Sequence, residues 1–125
     1  MPFAAITFRL RPGSEDAVAD IFADFTPLHS PIVRNEQGNE VAKLLGTAVF
    51  VKDDMLVRVI QYEGDFSAVP KYISSQPSVR EVEQRIEPYL VEKRGSTPKE
   101  FGAFFRNATM RVLYQSTVDD FPATA

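Results

Sequence analysis

Hydrophobic and polar positions change period several times along this chain, and each change marks an element. Residues 3–10 (FAAITFRL) alternate imperfectly and are rich in β-formers before Pro12-Gly13 ends the run, which predicts a strand. Ser14 stands where a helix cap is wanted, with Glu15 and Asp16 in a first turn whose dipole favours carboxylates. Val18, Ile21, Phe22 and Phe25 then recur at i, i+3, i+4 and i+7, one helical face, and Pro27 stops the helix. Residues 26–41 mix two prolines and a glycine with polar positions and read as a long irregular connection, a length usually kept for function.

The β pattern returns at residues 42–51 (AKLLGTAVFV) and 55–62 (MLVRVIQY), joined by Lys52-Asp53-Asp54 as a hairpin. Asp65 can cap a short helical turn through Phe66, Val69 and Ile73, which Pro70 is expected to interrupt. Ser78 and Glu81 have capping-box spacing and open a helix with Val79, Val82, Ile86, Tyr89 and Leu90 inward. The same spacing puts Glu81, Glu83 and Glu87 on a solvated face, and Pro88 kinks or ends the helix. Thr97, Pro98 and Glu100 make a second capping box, opening a short helix with Phe101, Phe104 and Phe105. Residues 110–116 (MRVLYQS) read as the last strand, and residues 119–125 as a frayed tail behind one domain over 1–118.

The order β-α-β-β-α-β is that of an α+β, ferredoxin-like fold, a four-stranded antiparallel sheet with helices on one face. Residues 55–62 are apolar on both sides, with Leu56, Ile60 and Tyr62 on one and Val57, Val59 and Gln61 on the other. A partner must then cover the second face. Two such sheets facing each other form a dimeric α/β barrel, so a homodimer is expected.

Composition narrows the chemistry. A chain of 125 residues makes one domain and can bury about two-thirds of its unfolded surface without staples. Fourteen Lys and Arg against 17 Asp and Glu, a net charge of −3 with no basic stripe, argue against a nucleic-acid partner. There is no Cys and a single His, His29, which excludes thiol catalysis, thiolate zinc and multi-histidine metal sites. No Gly-rich phosphate loop is present either, so any reaction is expected to need no cofactor. The first residues lack a signal-peptide pattern and no run approaches the ~20 apolar residues of a membrane span, so a cytoplasmic protein without a membrane partner is expected.

Among ordinary polar side chains Arg58 stands out, because it sits between valines in the middle of a strand, where an unpaired charge is costly. Facing a cavity, it can hold a phenolate or enolate oxygen; otherwise it pairs with a carboxylate from a neighbouring strand or subunit. His29 is the default proton shuttle near neutrality, beside Pro27 and Pro31, or simply a solvated loop residue. Tyr62 shares the side of the strand with Arg58 and can grip the same oxygenated ring edge, with Gln61 and Tyr72 as further polar contacts. Phe22, Phe25, Phe50 and Phe105 can floor an apolar slot for a flat substrate, or else be plain core.

The stretches VFVKDDMLVRVIQYEGDF and QPSVREVEQRIEPYL, with LLGT before them and TPKEFGAFFRNATMR after, make a more specific combination. Gly46-Thr47 with Phe50, Val57-Arg58-Val59, and Gln76-Pro77 with Pro88-Tyr89-Leu90 resemble the SchA/CurD-like domain family of aromatic polyketide biosynthesis. That layout is similar to tetracenomycin-type polyketide cyclases and to small cofactor-free antibiotic-biosynthesis monooxygenases, both dimeric α/β barrels with a cavity between sheet and helices. The resemblance implies tailoring or cyclisation of an aromatic polyketide intermediate on the way to an antibiotic or spore pigment, with a cyclase as the leading expectation. The alternatives are a cofactor-independent monooxygenase acting on an anthrone or phenol, and a non-catalytic carrier of an aromatic ligand. Tetracenomycin-type cyclases carry a His-Asp pair just after the first helix, where this chain has Phe25-Thr26, and a His on the strand that here carries Arg58.

Overall fold

The structure, a computed structural model, describes residues 2–24, 30–93 and 98–122. Strand β1 (Phe3–Arg9) leads into helix α1 (Glu15–Ala23), followed by strands β2 (Ile32–Arg34), β3 (Glu40–Lys52) and β4 (Met55–Gly64). A 3-10 turn at Phe66–Ala68 then introduces helices α2 (Val69–Ser75), α3 (Pro77–Ile86) and α4 (Pro98–Ala108). The strands form one antiparallel sheet in the order β1-β4-β3-β2. The α+β class expected from the sequence is therefore the one observed. No described helix is long and apolar enough to cross a membrane.

One face of the sheet holds the core. Ala4, Ile6 and Leu10 from β1 and its end, with Leu56 and Ile60 from β4, are buried against the helices. Two apolar clusters result. Ile6, Ile60, Val69, Ile73 and Phe105 belong to the first, and Leu10, Val18, Leu56, Val82 and Leu90 to the second. Phe8 is half-buried and packs against both.

The hairpin between β3 and β4 forms as expected, with Asp53 in the left-handed region at φ 54, a conformation Asp tolerates. Its pairing contains a bulge between Leu44 and Gly46, where Leu45 is the extra residue. Because alternation has period two, the bulge lets Leu44 and Thr47 share a face, opposite Tyr62 and Ile60 respectively.

Several expectations are corrected. The segment read as irregular contains β2, paired with β3 and closed by a turn in which the Asn35 side chain accepts from the Gln37 and Asn39 amides. Local side-chain capping of turns is weakly encoded by composition, so a three-residue edge strand left no periodic signal. Residues 110–116 do not join the sheet. The outward groups of β1 are divided: Arg9 C=O accepts from Val91 N–H at 2.9 Å and Ala5 C=O from Met110 N–H at 2.8 Å. Beyond Met110 the Gln115 side chain reaches back, accepting from Phe3 N–H at 3.0 Å. The fourth strand is thus β2, on the other edge. Residues 118–120 form a 3-10 turn capped by Thr117 and Asp120.

Helix starts also differ from expectation. Ser14 precedes α1 but is buried with its backbone already helical (φ −92, ψ −5), and its side chain makes no cap bond. α3 begins at Pro77 rather than by a Ser78-Glu81 box, because Gln76 is held extended before proline (φ −78, ψ 131) and proline suits the first helical position. Pro70 does not interrupt its helix, since it lies in the first turn of α2, where no amide donor is needed. Asp65 does cap, accepting from Ser67 Oγ at 2.7 Å and Ser67 N–H at 3.0 Å, and these bonds hold its carboxyl below the ordinary value.

Gly64 ends β4 at φ 94, and a Cβ there would lie 2.5 Å from Val41 O and 2.9 Å from Ala42 Cα. Gly64→Ala is expected to cost about 2 kcal/mol or more and to lower Tm by about 5 °C or more, read by thermal unfolding.

Candidate active site

Arg58 occupies the middle of β4 on the helix-facing side, between Leu56 and Ile60, each 1% exposed. Those two residues belong to different apolar clusters, so Arg58 sits at the seam between them. Its Nε donates to Thr47 Oγ1 at 3.3 Å, a contact that depends on the bulge in β3. Burial pulls the guanidinium below its ordinary pKa, and the charge of Glu83 on α3 opposes that shift. A slot of about 30 Å³ lies here, walled by Phe22, Val49, Val79, Val82 and Ile86, with Arg58 and Glu83 as its charged groups.

Phe8 forms a further wall of the slot and also lines a larger cleft of about 320 Å³ on its other side. That cleft is bordered by Thr7, Arg9, Asp54, Glu92 and Asn107. Phe8 stacks on Phe104, ring centres 5.6 Å apart and planes 16° from parallel. Phe8 thus lines both the polar-edged cleft, which Phe104 also borders, and the Arg58–Glu83 slot. Among the described residues no three His, Asp or Glu side chains cluster to hold a metal.

The other residues expected at a site are dispersed. Phe22 lines the slot with Arg58. Tyr62 shares the face of Arg58 but lies four residues, about 13 Å, along the strand, its ring against Phe66 at 4.8 Å between centroids. Tyr72 packs on the first cluster, and its hydroxyl donates to the Ser30 carbonyl. Phe105 is core in that cluster and meets Phe104 edge-on at 6.4 Å. Gln61 and Phe50 face the opposite side of the sheet, paired with Gly46 and Val57, where Phe50 is 60% exposed. His29 and Phe25 lie outside the described residues.

Two residues escaped the sequence reading. Glu83, expected on a solvated helix face, is half-buried in the slot. Its spacing carried the signal: 79, 82, 83 and 86 are i, i+3, i+4 and i+7, one helical face. Thr47 reaches Arg58 only through the bulge, and the mark of that was the adjacent pair Leu44-Leu45 before Gly46.

Comparison with known proteins adds to this geometry. The SchA/CurD-like domain family matches residues 1–118. The chain is 32% identical over 111 residues to "Polyketide synthase CurD" of Streptomyces cyaneus, covering 88% of this chain and 29% of that protein. It is 30% identical over 117 residues to a 42.8 kDa protein in the whiE locus of Streptomyces coelicolor, covering 93% and 28%. The chain therefore spans less than a third of the length of these relatives. In fold it is similar to tetracenomycin F2 cyclase of Streptomyces glaucescens, a type-II polyketide cyclase, with TM-score 0.51 and 23% identity over 94% of this chain and 99% of that one.

Arg58 and Glu83 are opposite charges in one slot, and removing either leaves the other less compensated. In a double-mutant cycle of Arg58→Met and Glu83→Gln, each single change is expected to destabilise the fold, and the pair to couple by about 1 kcal/mol in urea unfolding. Additive single effects would show that Arg58 and Glu83 do not interact.

Proposed function

This chain belongs to the SchA/CurD-like domain family, and on that premise we propose that it is a cyclase of aromatic polyketide biosynthesis working without a cofactor. The observation that carries the reading is a cation and a carboxylate, Arg58 and Glu83, sharing one apolar slot walled by Phe8 and Phe22. Ring closure of a poly-β-ketone needs such a pair. A base removes a proton from carbon between two carbonyls, and a fixed cation stabilises the oxygen on which charge develops.

In this proposal a flat, partly cyclised substrate enters from the larger cleft and lies along Phe8 and Phe104. Opening the slot requires Phe8 to move, because about 30 Å³ does not hold a ring. Glu83 takes the C–H proton, the enolate carbon bonds to a carbonyl carbon held near it, and Arg58 receives the resulting alkoxide. The proton returns from Glu83 to that oxygen, and loss of water completes the aromatic ring. His29 and Tyr62 are the other proton carriers expected from the sequence; Glu83 is preferred because it shares the slot with Arg58. Holding a flexible chain in a reactive fold supplies much of the acceleration.

We further propose that the chain acts as a homodimer through the outer sheet face. Phe50 and Met55 are 60% and 51% exposed there, beside half-buried Val57 and Val59, a continuous apolar surface. Phe50→Arg is expected to shift the protein from dimer to monomer in light scattering; an unchanged mass would remove this face from the interface.

The direct test offers the purified protein a linear or partly closed polyketide precursor and follows product mass together with dioxygen uptake. Loss of water without oxygen uptake is expected, and Arg58→Met is expected to reduce turnover about 100-fold while leaving ligand affinity within a few-fold. Oxygen gain in the product would replace the cyclase with a monooxygenase. Binding without turnover would replace it with a carrier.

A further inference from the structure

A separate cleft opens on the outside of the helical layer, between α2, the first turn of α3 and the last turns of α4. Its volume is about 820 Å³, far larger than the slot at Arg58. The floor is apolar, made of Phe66, Pro70 and Phe105, and the rim carries Lys71, Arg80 and Arg106. None of the described lining residues is acidic, in a chain whose net charge is −3. Cations are therefore gathered here against the overall balance.

The rest of the lining narrows the ligand. The hydroxyls of Ser74, Ser75 and Thr109 already donate to the carbonyls of Lys71, Tyr72 and Phe105, at 3.0, 2.6 and 2.7 Å. Recognition must then come from charge and apolar shape rather than from a dense hydrogen-bond network. Lys71 contacts Glu36 at 3.3 Å, but both side chains are at least 80% exposed, so the pair is weak and can be shared with an incoming anion. Arg80 and Arg106 are in no ion pair among the described residues. Guanidinium groups bind carboxylates in two-pronged fashion and stack on flat rings, which suits a ligand with an acidic end and an aromatic body. The concave form and the volume fall in the range of small-molecule sites, about 300–1,000 Å³, rather than of a flat protein-docking patch.

We propose that this cleft is a second ligand site, distinct from the Arg58 slot, and that it takes an aromatic carboxylate with its rings on Phe66, Pro70 and Phe105 and its carboxylate between Arg80 and Arg106. This site is independent of whether Arg58 and Glu83 carry out a cyclisation.

The experiment titrates the intact protein with 2-naphthoate at low ionic strength, where screening is weakest, by calorimetry and by amide shifts in ¹⁵N spectra. Binding is expected to move the amides of Ser74, Ser75 and Arg106. The double variant Arg80→Glu, Arg106→Glu is expected to weaken it at least tenfold, and Arg58→Met to leave it within twofold. Circular dichroism checks that the double variant folds. Should it not, the single changes Arg80→Gln and Arg106→Gln, both at exposed positions, are each expected to weaken binding about threefold or more. Loss of binding in Arg58→Met with retention in the charge-reversed variant would put the ligand in the central slot and overturn the proposal. Equal affinity for neutral 2-naphthalenemethanol would overturn the role of the cations, and equal affinity for inorganic phosphate would overturn that of the apolar floor.

Discussion

A guanidinium placed where an aliphatic side chain would complete the core is the constraint around which this molecule is arranged. Leu56 and Ile60 on either side of Arg58 each belong to a separate apolar cluster, and Phe8 is the hydrophobic residue that bridges them. A leucine at position 58 would fuse the two clusters. Arg58 instead keeps a polar seam through the middle of the layer, which costs desolvation free energy and lowers the tendency of the guanidinium to stay charged. Arginine suits such a position because its planar group is weakly hydrated and loses its proton with great difficulty. Thr47 from the sheet and Glu83 from α3 offset the rest.

That seam depends on two local irregularities. The bulge at Leu45 changes the phase of β3, so that Thr47, Val49 and Val51 face the helices together with Arg58, while Phe50 goes to the outer face with Val57. Without the extra residue every later side chain of β3 would exchange faces. The second irregularity is the break at Gln76-Pro77, which separates α2 from α3 and sets α3 across the sheet with Val79, Val82, Glu83 and Ile86 toward Arg58. One covalent feature, a proline, thus aims a carboxylate across the layer at a cation on the sheet.

The same break shapes the outer cleft. Since α2 stops at Ser75 and α3 starts afresh, Lys71 and Arg80 come from different helices yet border one opening, completed by Arg106 near the end of α4. The helical layer consequently borders two polar features of different character: a small slot holding both signs of charge and a large cationic cleft. The small one, where burial already weighs on the guanidinium, suits chemistry on a partly desolvated substrate. The open one suits reversible binding of an anion that keeps part of its hydration.

Period and punctuation along the chain determined the α+β class, the long hairpin, the position of α1 and the end of α3 before Pro88, because each rests on interactions within a few residues. They also singled out Arg58, since a charge between valines in a strand is anomalous wherever the strand lies. Tertiary structure alone decided the rest. Whether 32–34 or 110–116 became the fourth strand depended on which edge had free hydrogen-bonding groups, and β1 had already given part of its edge to residues 89–91. Tyr62, on the same face as Arg58, was drawn to Phe66 and away from the slot by distance along the strand. Glu83 and Thr47 joined Arg58 through a helix placed by packing and a strand re-phased by a bulge. Interactions between residues 11 and 25 positions apart in the chain leave only a faint mark on its local pattern.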